Sequence, residues 1–434
     1  MKRLLLITYY FPPAAGGGVA RTLSFARHLP EHGWQVSVLC ADPESAPLRD
    51  DSRLATLPPQ VEVHRVPTPA LITRGRKAVV GGGDTRPSGL YDLARKLSNW
   101  LWLPDSFAAW RGPAGQAALD LVKREKFDVV LTSSPPDTVH TVGLDLRSEI
   151  NIPWVVDFRD PWVGLSYKKP PTRWHEKKQR QLRDSVLQGA DMILTTTRGL
   201  AESLGDRRAP GCHAAVHHLP NGWEDDVPVA SERTVSPSGP LRVVYTGTLW
   251  DVPASKTCLR ALAVSLMHAR SEKPEIELHL VGPHESGEVD LVRELGLQEK
   301  VQFHGQVSYQ SARAQQANAD ILLLLQVHGP GYEVAIPGKL YEYIASGRPI
   351  LAFLEPGEAA DLVQKAGGWV IGPEDLGAAR QVFDRLLAGE RPASQSDSRT
   401  ALADSFRRDR VVAGLAKLLD SLIVDPPSGE ASLQ

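Results

Sequence analysis

Short apolar runs alternate with stretches of helical periodicity along most of the chain, and that alternation points to parallel α/β architecture. Runs at 3–8, 34–39, 61–66, 128–132, 153–157, 191–195 and 214–219 read as strands. Helical stretches such as Val19–His32, Gly115–Glu125 and Trp174–Gln188 lie between them. A second series starts at Leu241-Arg242-Val243-Val244-Tyr245 and continues at 275–281, 300–303, 320–325, 349–354 and 369–371. Between the two series, 226–240 (DVPVASERTVSPSGP) loses periodicity and gains Pro, Ser and Gly, so it reads as a linker. The expected division is therefore a first domain over 1–228 and a second over 240–395, then an amphipathic helix at 404–424 and a disordered tail at 426–434.

Length and charge narrow the function. A chain of 434 residues exceeds one ordinary core, which agrees with two domains. Its formal net charge of -2 supplies no basic field for nucleic acid. Cys40, Cys212 and Cys258 are odd in number and widely spaced, which suits a reducing compartment and neither a disulfide framework nor a metal cluster. The first apolar run is too short for a signal-peptide core, and no run approaches the roughly 20 residues that span a bilayer. The expectation is a cytoplasmic protein, at most peripheral to the inner face of a membrane.

Segment 67–112 is the irregular part, with Gly81-Gly82-Gly83, several basic residues, and Trp100, Trp102 and Trp110 close together. Trp beside Lys and Arg suits a membrane surface, so 91–112 is one candidate for peripheral contact. The other reading, slightly favoured, is an insertion packed on its own domain.

Two loops could receive an anion. After the first strand, Phe11-Pro12-Pro13-Ala14-Ala15-Gly16-Gly17-Gly18 leads into a helix. Glycines there let backbone N–H groups approach a ligand, and the helix dipole favours negative charge. Gly16-x-Gly18 is only part of a dinucleotide fingerprint, because Arg21 occupies the third glycine position. The stronger signal is Glu333-Val334-Ala335-Ile336-Pro337-Gly338-Lys339-Leu340-Tyr341-Glu342. Pro337-Gly338 opens a helix that Gly347 closes, which puts Lys339 in the first turn, where a cation is disfavoured unless an anion binds. Free amides of that turn and Lys339 could hold a diphosphate, and Glu342 on the same face could accept ribose hydroxyls. The alternative is a Lys339–Glu342 surface ion pair, worth a few tenths of a kcal/mol.

The segment IPGKLYEYIASGRPIL resembles the donor site of family 4 retaining glycosyltransferases, whose fold is called GT-B. LLITYYFPPAAGGGVARTLSFARHLPEHGWQVSVL resembles the N-terminal end of the same family, as do SSPPDTVHTVGLDL, IPWVVDFRDPW, LPNGWEDD and VVYTGTL, in the family's order. The likeness is closest to the branch that assembles surface polysaccharides and other glycans. It implies two facing Rossmann-like domains, acceptor side first and donor side second, with the final helix crossing back to the first. It implies transfer from a nucleotide-diphosphate sugar, as co-substrate, to a carbohydrate or lipid-linked acceptor, with no other cofactor and no metal. Glu342 would bind the ribose, and Gly338, Lys339 and Leu340 the diphosphate. Gly17 and Gly18 would approach the phosphates or the donor sugar. Thr248 and Lys256 match the family's diphosphate-binding region, with Lys256 offset, and Gly305-Gln306-Val307 the loop that frames the base. The family often has a glutamate eight residues before the Glu342 position; Val334 stands there, with Glu333 one place early. Where many members end a strand in histidine near the donor sugar, this chain has Arg159 followed by Asp160, and these join Lys339 as candidate catalytic groups.

Other groups read as structural. Asp157 and Asp160 suit caps at a strand end better than a metal pair, and His217-His218 in one strand point to opposite faces. His140 reads as a structural group or a substrate contact. The rival functions on the same fold are a sugar-nucleotide 2-epimerase, a phosphorylase, and a non-catalytic nucleotide-sugar-binding partner subunit.

Overall fold

A computed structural model describes residues 1–45, 49–69, 100–165, 169–206, 212–224, 239–249, 252–268, 275–393 and 397–424. Most of the expected linker 226–240, the tail 426–434 and Gly81-Gly82-Gly83 lie outside these residues. The described residues form two units. One contains residues up to Asn221 together with those from Arg408 onward, and the other runs from Gly222 to Arg407.

The first unit is a seven-stranded parallel sheet: β1 (Lys2–Thr8), β2 (Trp34–Ala41), β3 (Glu62–Val66), β4 (Val129–Ser133), β5 (Trp154–Phe158), β6 (Met192–Thr195) and β7 (Ala215–His218). Their order is β3-β2-β1-β4-β5-β6-β7, so the winding reverses between β1 and β4. Side chains along β1 alternate between two cores. Leu4 and Leu6 pack with Val19, Leu23 and Ala26 and with Val412, Leu415 and Leu419 of the last helix. Leu5 and Ile7 pack with Trp110, Ala114 and Ala118 on the opposite face. Burial on both faces is why these strands read as nearly continuous apolar runs.

The second unit repeats the scheme with β8 (Leu241–Thr246), β9 (Ile276–Val281), β10 (Val301–Gly305), β11 (Ile321–Leu325), β12 (Ile350–Phe353) and β13 (Trp369–Ile371). The order β10-β9-β8-β11-β12-β13 reverses between β8 and β11. One face carries Val243, Tyr245, Leu323 and Phe353 against Leu259, Leu262 and Phe383. The other carries Val244, Leu322, Leu324 and Ile350 against Leu340, Tyr343, Ile344 and Val363. The two Rossmann-like units and the final helix in the first unit constitute the GT-B architecture.

Two expectations change. The helix expected at 404–424 begins at Arg408 and runs to Val424 in the first unit, after a separate helix Asp397–Ser405 in the second. Between them Phe406 N–H donates to Ala403 O and Trp223 N–H to Phe406 O, which diverts the backbone from a helical course. The tryptophan group also separates. Trp110 is 0% exposed with its ring 5.2 Å from that of Tyr9, whereas Trp100 is 56% exposed. Periodicity was too weak in that segment to show which ring turned inward.

Candidate functional site

In open parallel sheets the loops outside the carboxyl ends of the strands at the reversal point are where ligands are received. In the second unit those loops follow β8 and β11, and they carry Gly247 and the helix Gly338–Ala345. Pro337 stands at the N-cap with extended ψ, no side chain caps the turn, and no acidic residue lies in it. Leu340 N–H closes on Pro337 O at 2.9 Å, and the Gly338 and Lys339 amides are left for a ligand or solvent.

Lys339 turns back from this first turn onto the face of Tyr245, with its ammonium 4.0 Å from the ring centre. Gly247, at φ +137°, clears the space: a Cβ there would stand 2.3 Å from Lys339 Nζ. Burial lowers the Lys339 pKa to about 7, with Glu342 pulling weakly the other way. No ion pair joins Lys339 to Glu342 among the described residues, so the surface-pair alternative does not hold. Instead Glu342 accepts from Tyr309 Oη at 3.2 Å and from Gln316 Nε2 at 3.0 Å. Gln316 Nε2 also donates to Thr246 Oγ1 at 2.9 Å, and Arg313 donates to Gln316 Oε1 at 2.6 Å. Each Glu342 oxygen keeps lone-pair capacity for a further donor.

The remaining residues expected here lie at varied depth. Gly305 (φ +60°) ends β10 beside Gly282, whose own Cβ would meet Gly247 O at 2.2 Å. Gln306 is exposed and Val307 half-buried. Thr248 is exposed, and its carbonyl accepts from Tyr245 Oη at 2.8 Å. Lys256 is exposed on the helix Pro253–His268, within electrostatic reach of the buried Glu288 carboxyl. Glu333 is exposed, accepts from Gly331 N–H at 2.7 Å, and borders a hollow with His328, Tyr332, Glu355 and Gly357.

In the first unit the loop after β1 carries Gly16 at φ +107°, then Gly17 and Gly18, and the following helix Val19–His28 has no side-chain cap. Arg159 grips this loop, donating to Gly18 O and Gly17 O at 2.6 Å each. Burial lowers its pKa to about 10. Asp160 lies half-buried beside it. Asp157 is fully buried and accepts Arg21 Nε and Nη2 at 2.9 and 2.8 Å and Ser133 Oγ at 2.6 Å. It is thus one half of a buried ion pair with Arg21, backed by the Ser133 hydroxyl. His140 is 0% exposed and shares a hydrogen bond of 2.9 Å with Thr132. Among the described residues no three His, Cys, Asp or Glu side chains gather as a metal cage.

Two supporting arginines escaped the sequence reading. Arg21 stands where a dinucleotide fingerprint would have glycine, and it ties the first helix to Asp157 and to Pro220 O. Arg399, 2% exposed, donates to Tyr343 O at 2.9 Å, Ile344 O at 3.1 Å and Arg348 O at 2.6 Å. It thereby holds the last turn of the helix whose first turn carries Lys339.

Two Rossmann-like sheets, each with a helix start that no side chain caps at its reversal point, define a GT-B fold. Residues 16–222 match the family described as "Glycosyl transferase 4-like domain" and residues 240–388 the family "Glycosyl transferases group 1". One match falls in each of the two units, and together they span most of the chain. Among solved structures it is similar to a sucrose-phosphate synthase from Thermosynechococcus elongatus, with TM-score 0.69 and 17% identity over 98% of this chain and 100% of that one. It is also similar to Anabaena Alr3699/HepE in complex with UDP and glucose, with TM-score 0.63 and 15% identity over 97% and 100%. A third is WaaG, a glycosyltransferase involved in lipopolysaccharide biosynthesis, with TM-score 0.58 and 17% identity over 96% and 99%. No curated protein matches the chain in sequence.

Proposed function

We propose that the protein is a retaining glycosyltransferase that moves a sugar from a nucleotide-diphosphate sugar to a glycan, lipid-linked glycan or small-molecule acceptor. The observation that carries this reading is Lys339. Its ammonium has no carboxylate partner among the described residues, sits at an uncapped helix start, and has been given room by Gly247. The amides of Gly338 and Lys339 together with the lysine would receive the diphosphate beside Leu340, and Glu342 the ribose. Thr248, Lys256 and the loop Gly305-Gln306-Val307 would complete the donor contacts. The presence of UDP and of UDP-glucose in the HepE structures supports a donor of this class.

In the reaction the C1–O bond to the diphosphate breaks as the acceptor oxygen bonds to C1 on the same face. The acceptor proton passes to the departing phosphate oxygen. Negative charge grows on the diphosphate in this step, and the helix start with Lys339 is preorganised to receive it. Metal is not needed in this scheme. Arg159 acts as a positioning residue for the glycine loop, with Asp160 beside it.

The test is calorimetry with UDP and other nucleoside diphosphates, followed by transfer assays. Lys339→Ala and Glu342→Ala should each lower affinity about tenfold or more, as expected for loss of a charge-assisted hydrogen bond worth about 1.5–3 kcal/mol. Unchanged binding in both variants removes the assignment. Release of a rearranged sugar without acceptor would identify an epimerase instead.

A further inference from the structure

Trp174 opens the helix Arg173–Gly189 and is 58% exposed; Trp100, from a distant part of the chain, is 56% exposed. His175, only 6% exposed, stands between them, with ring centres 5.2 Å from Trp100 and 4.9 Å from Trp174, edge-on to both. Its Nε2–H donates to Trp100 O at 3.2 Å and its Nδ1 accepts from Thr172 Oγ1 at 2.8 Å, so the wedge is fixed at both ring nitrogens. Leu101, next to Trp100 in the chain, is 75% exposed. Three large apolar side chains left this open on a rigid support mark a contact surface.

Charge indicates the partner. Residues 169–180 include five basic side chains and one acidic, in a chain whose net charge is -2. That acid, Glu176, is engaged by Arg180 at 2.7 Å. Lys169, Arg173, Lys177 and Lys178 are exposed and have no carboxylate partner among the described residues; Lys178 lies 5.9 Å from the centre of the Trp174 ring. Indole rings that sit at the headgroup level, flanked by flexible cations, are the chemistry of attachment to an anionic lipid surface. We propose that Trp100, Leu101 and Trp174, with Lys169, Arg173, Lys177 and Lys178, form a docking face for an anionic bilayer. The partner is a lipid headgroup layer, and the proposal stands independently of the donor-site reading.

The experiment is co-sedimentation of the whole chain with vesicles of phosphatidylcholine alone or mixed with phosphatidylglycerol. Wild type should pellet with the mixed vesicles and be released by high salt. Each basic residue brought to an anionic leaflet contributes roughly a fivefold gain in partitioning. Trp100→Ser/Trp174→Ser and, separately, Arg173→Glu/Lys177→Glu/Lys178→Glu should each lower partitioning by about tenfold or more. Thermal unfolding and nucleoside diphosphate binding, unchanged from wild type, show that the variants are folded. The proposal is overturned if wild type stays in the supernatant with both vesicle types, or if both variants pellet as wild type does. It is equally overturned if sedimentation velocity shows a dimer that the tryptophan substitutions abolish, which would make the face an interface between copies.

Discussion

Lys339 lays its terminal nitrogen over the face of Tyr245, and Gly247 is the residue that lets it do so. The arrangement holds a cation in a half-buried place at a helix start, two circumstances that both disfavour it. With its pKa near 7, Lys339 is largely neutral at alkaline pH until an anion arrives. Binding of UDP between pH 7 and 9 should therefore take up protons. Calorimetry in buffers of different ionisation enthalpy measures this uptake, and Lys339→Met should abolish it.

The same pKa fixes a stability trend. Because Lys339 titrates lower when folded than when unfolded, the unfolded chain binds the extra proton between pH 7 and the ordinary lysine range. This residue's contribution thus makes the protein more stable as pH rises through that window. Lys339→Met should stabilise the ligand-free protein more at pH 6 than at pH 10, by urea denaturation at each pH.

Gly247→Ala puts a methyl group 2.3 Å from Lys339 Nζ, on a backbone with φ +137°. The lysine must leave the Tyr245 ring. Affinity for UDP should fall about tenfold or more, consistent with one charge-assisted contact. An affinity equal to wild type would show that the clearance has no bearing on the site.

Arg21→Met leaves Asp157 buried and stripped of its guanidinium. Breaking a buried pair from one side costs about 3–5 kcal/mol. Urea denaturation should show that loss for Arg21→Met and a smaller one when Asp157→Leu is added, because the second change removes the stranded charge.

Arg159→Ala frees Gly17 O and Gly18 O, which lie at the surface side of their loop. Transfer activity should drop at least tenfold, within the range of one positioning contact, while UDP binding at Lys339 is retained. Chelation with EDTA should leave the wild-type rate unchanged.

Much of the architecture could be read from composition and period alone. Strands such as β1 and β11 are apolar on both faces, and nothing but a covered parallel sheet explains that. The helix at Gly338 was legible because Pro-Gly opens it and a lysine in the first turn conflicts with the dipole. Partners separated along the chain were not legible. Arg21 and Asp157 are 136 residues apart, and Arg399 meets Ile344 across 55. A lone arginine in sequence carries no sign of which buried carbonyls or carboxylate it will serve. The bearing of Trp100 was hidden for the same reason, since its companion Trp174 comes from another element and Trp110, its neighbour in sequence, turned inward.

The helix Arg408–Val424 supplies Val411, Val412, Leu415, Ala416 and Leu419 to a core whose other buried members all precede Asn221. A ribosome therefore releases the entire inserted unit before the earlier-made sheet has its last wall. Until then part of that sheet's apolar face is uncovered, and its maturation waits on residues 408–424. A nascent chain halted near residue 400 should bind chaperones through that face, and joining 1–221 to 408–424 by a short spacer should give a fragment that closes by itself.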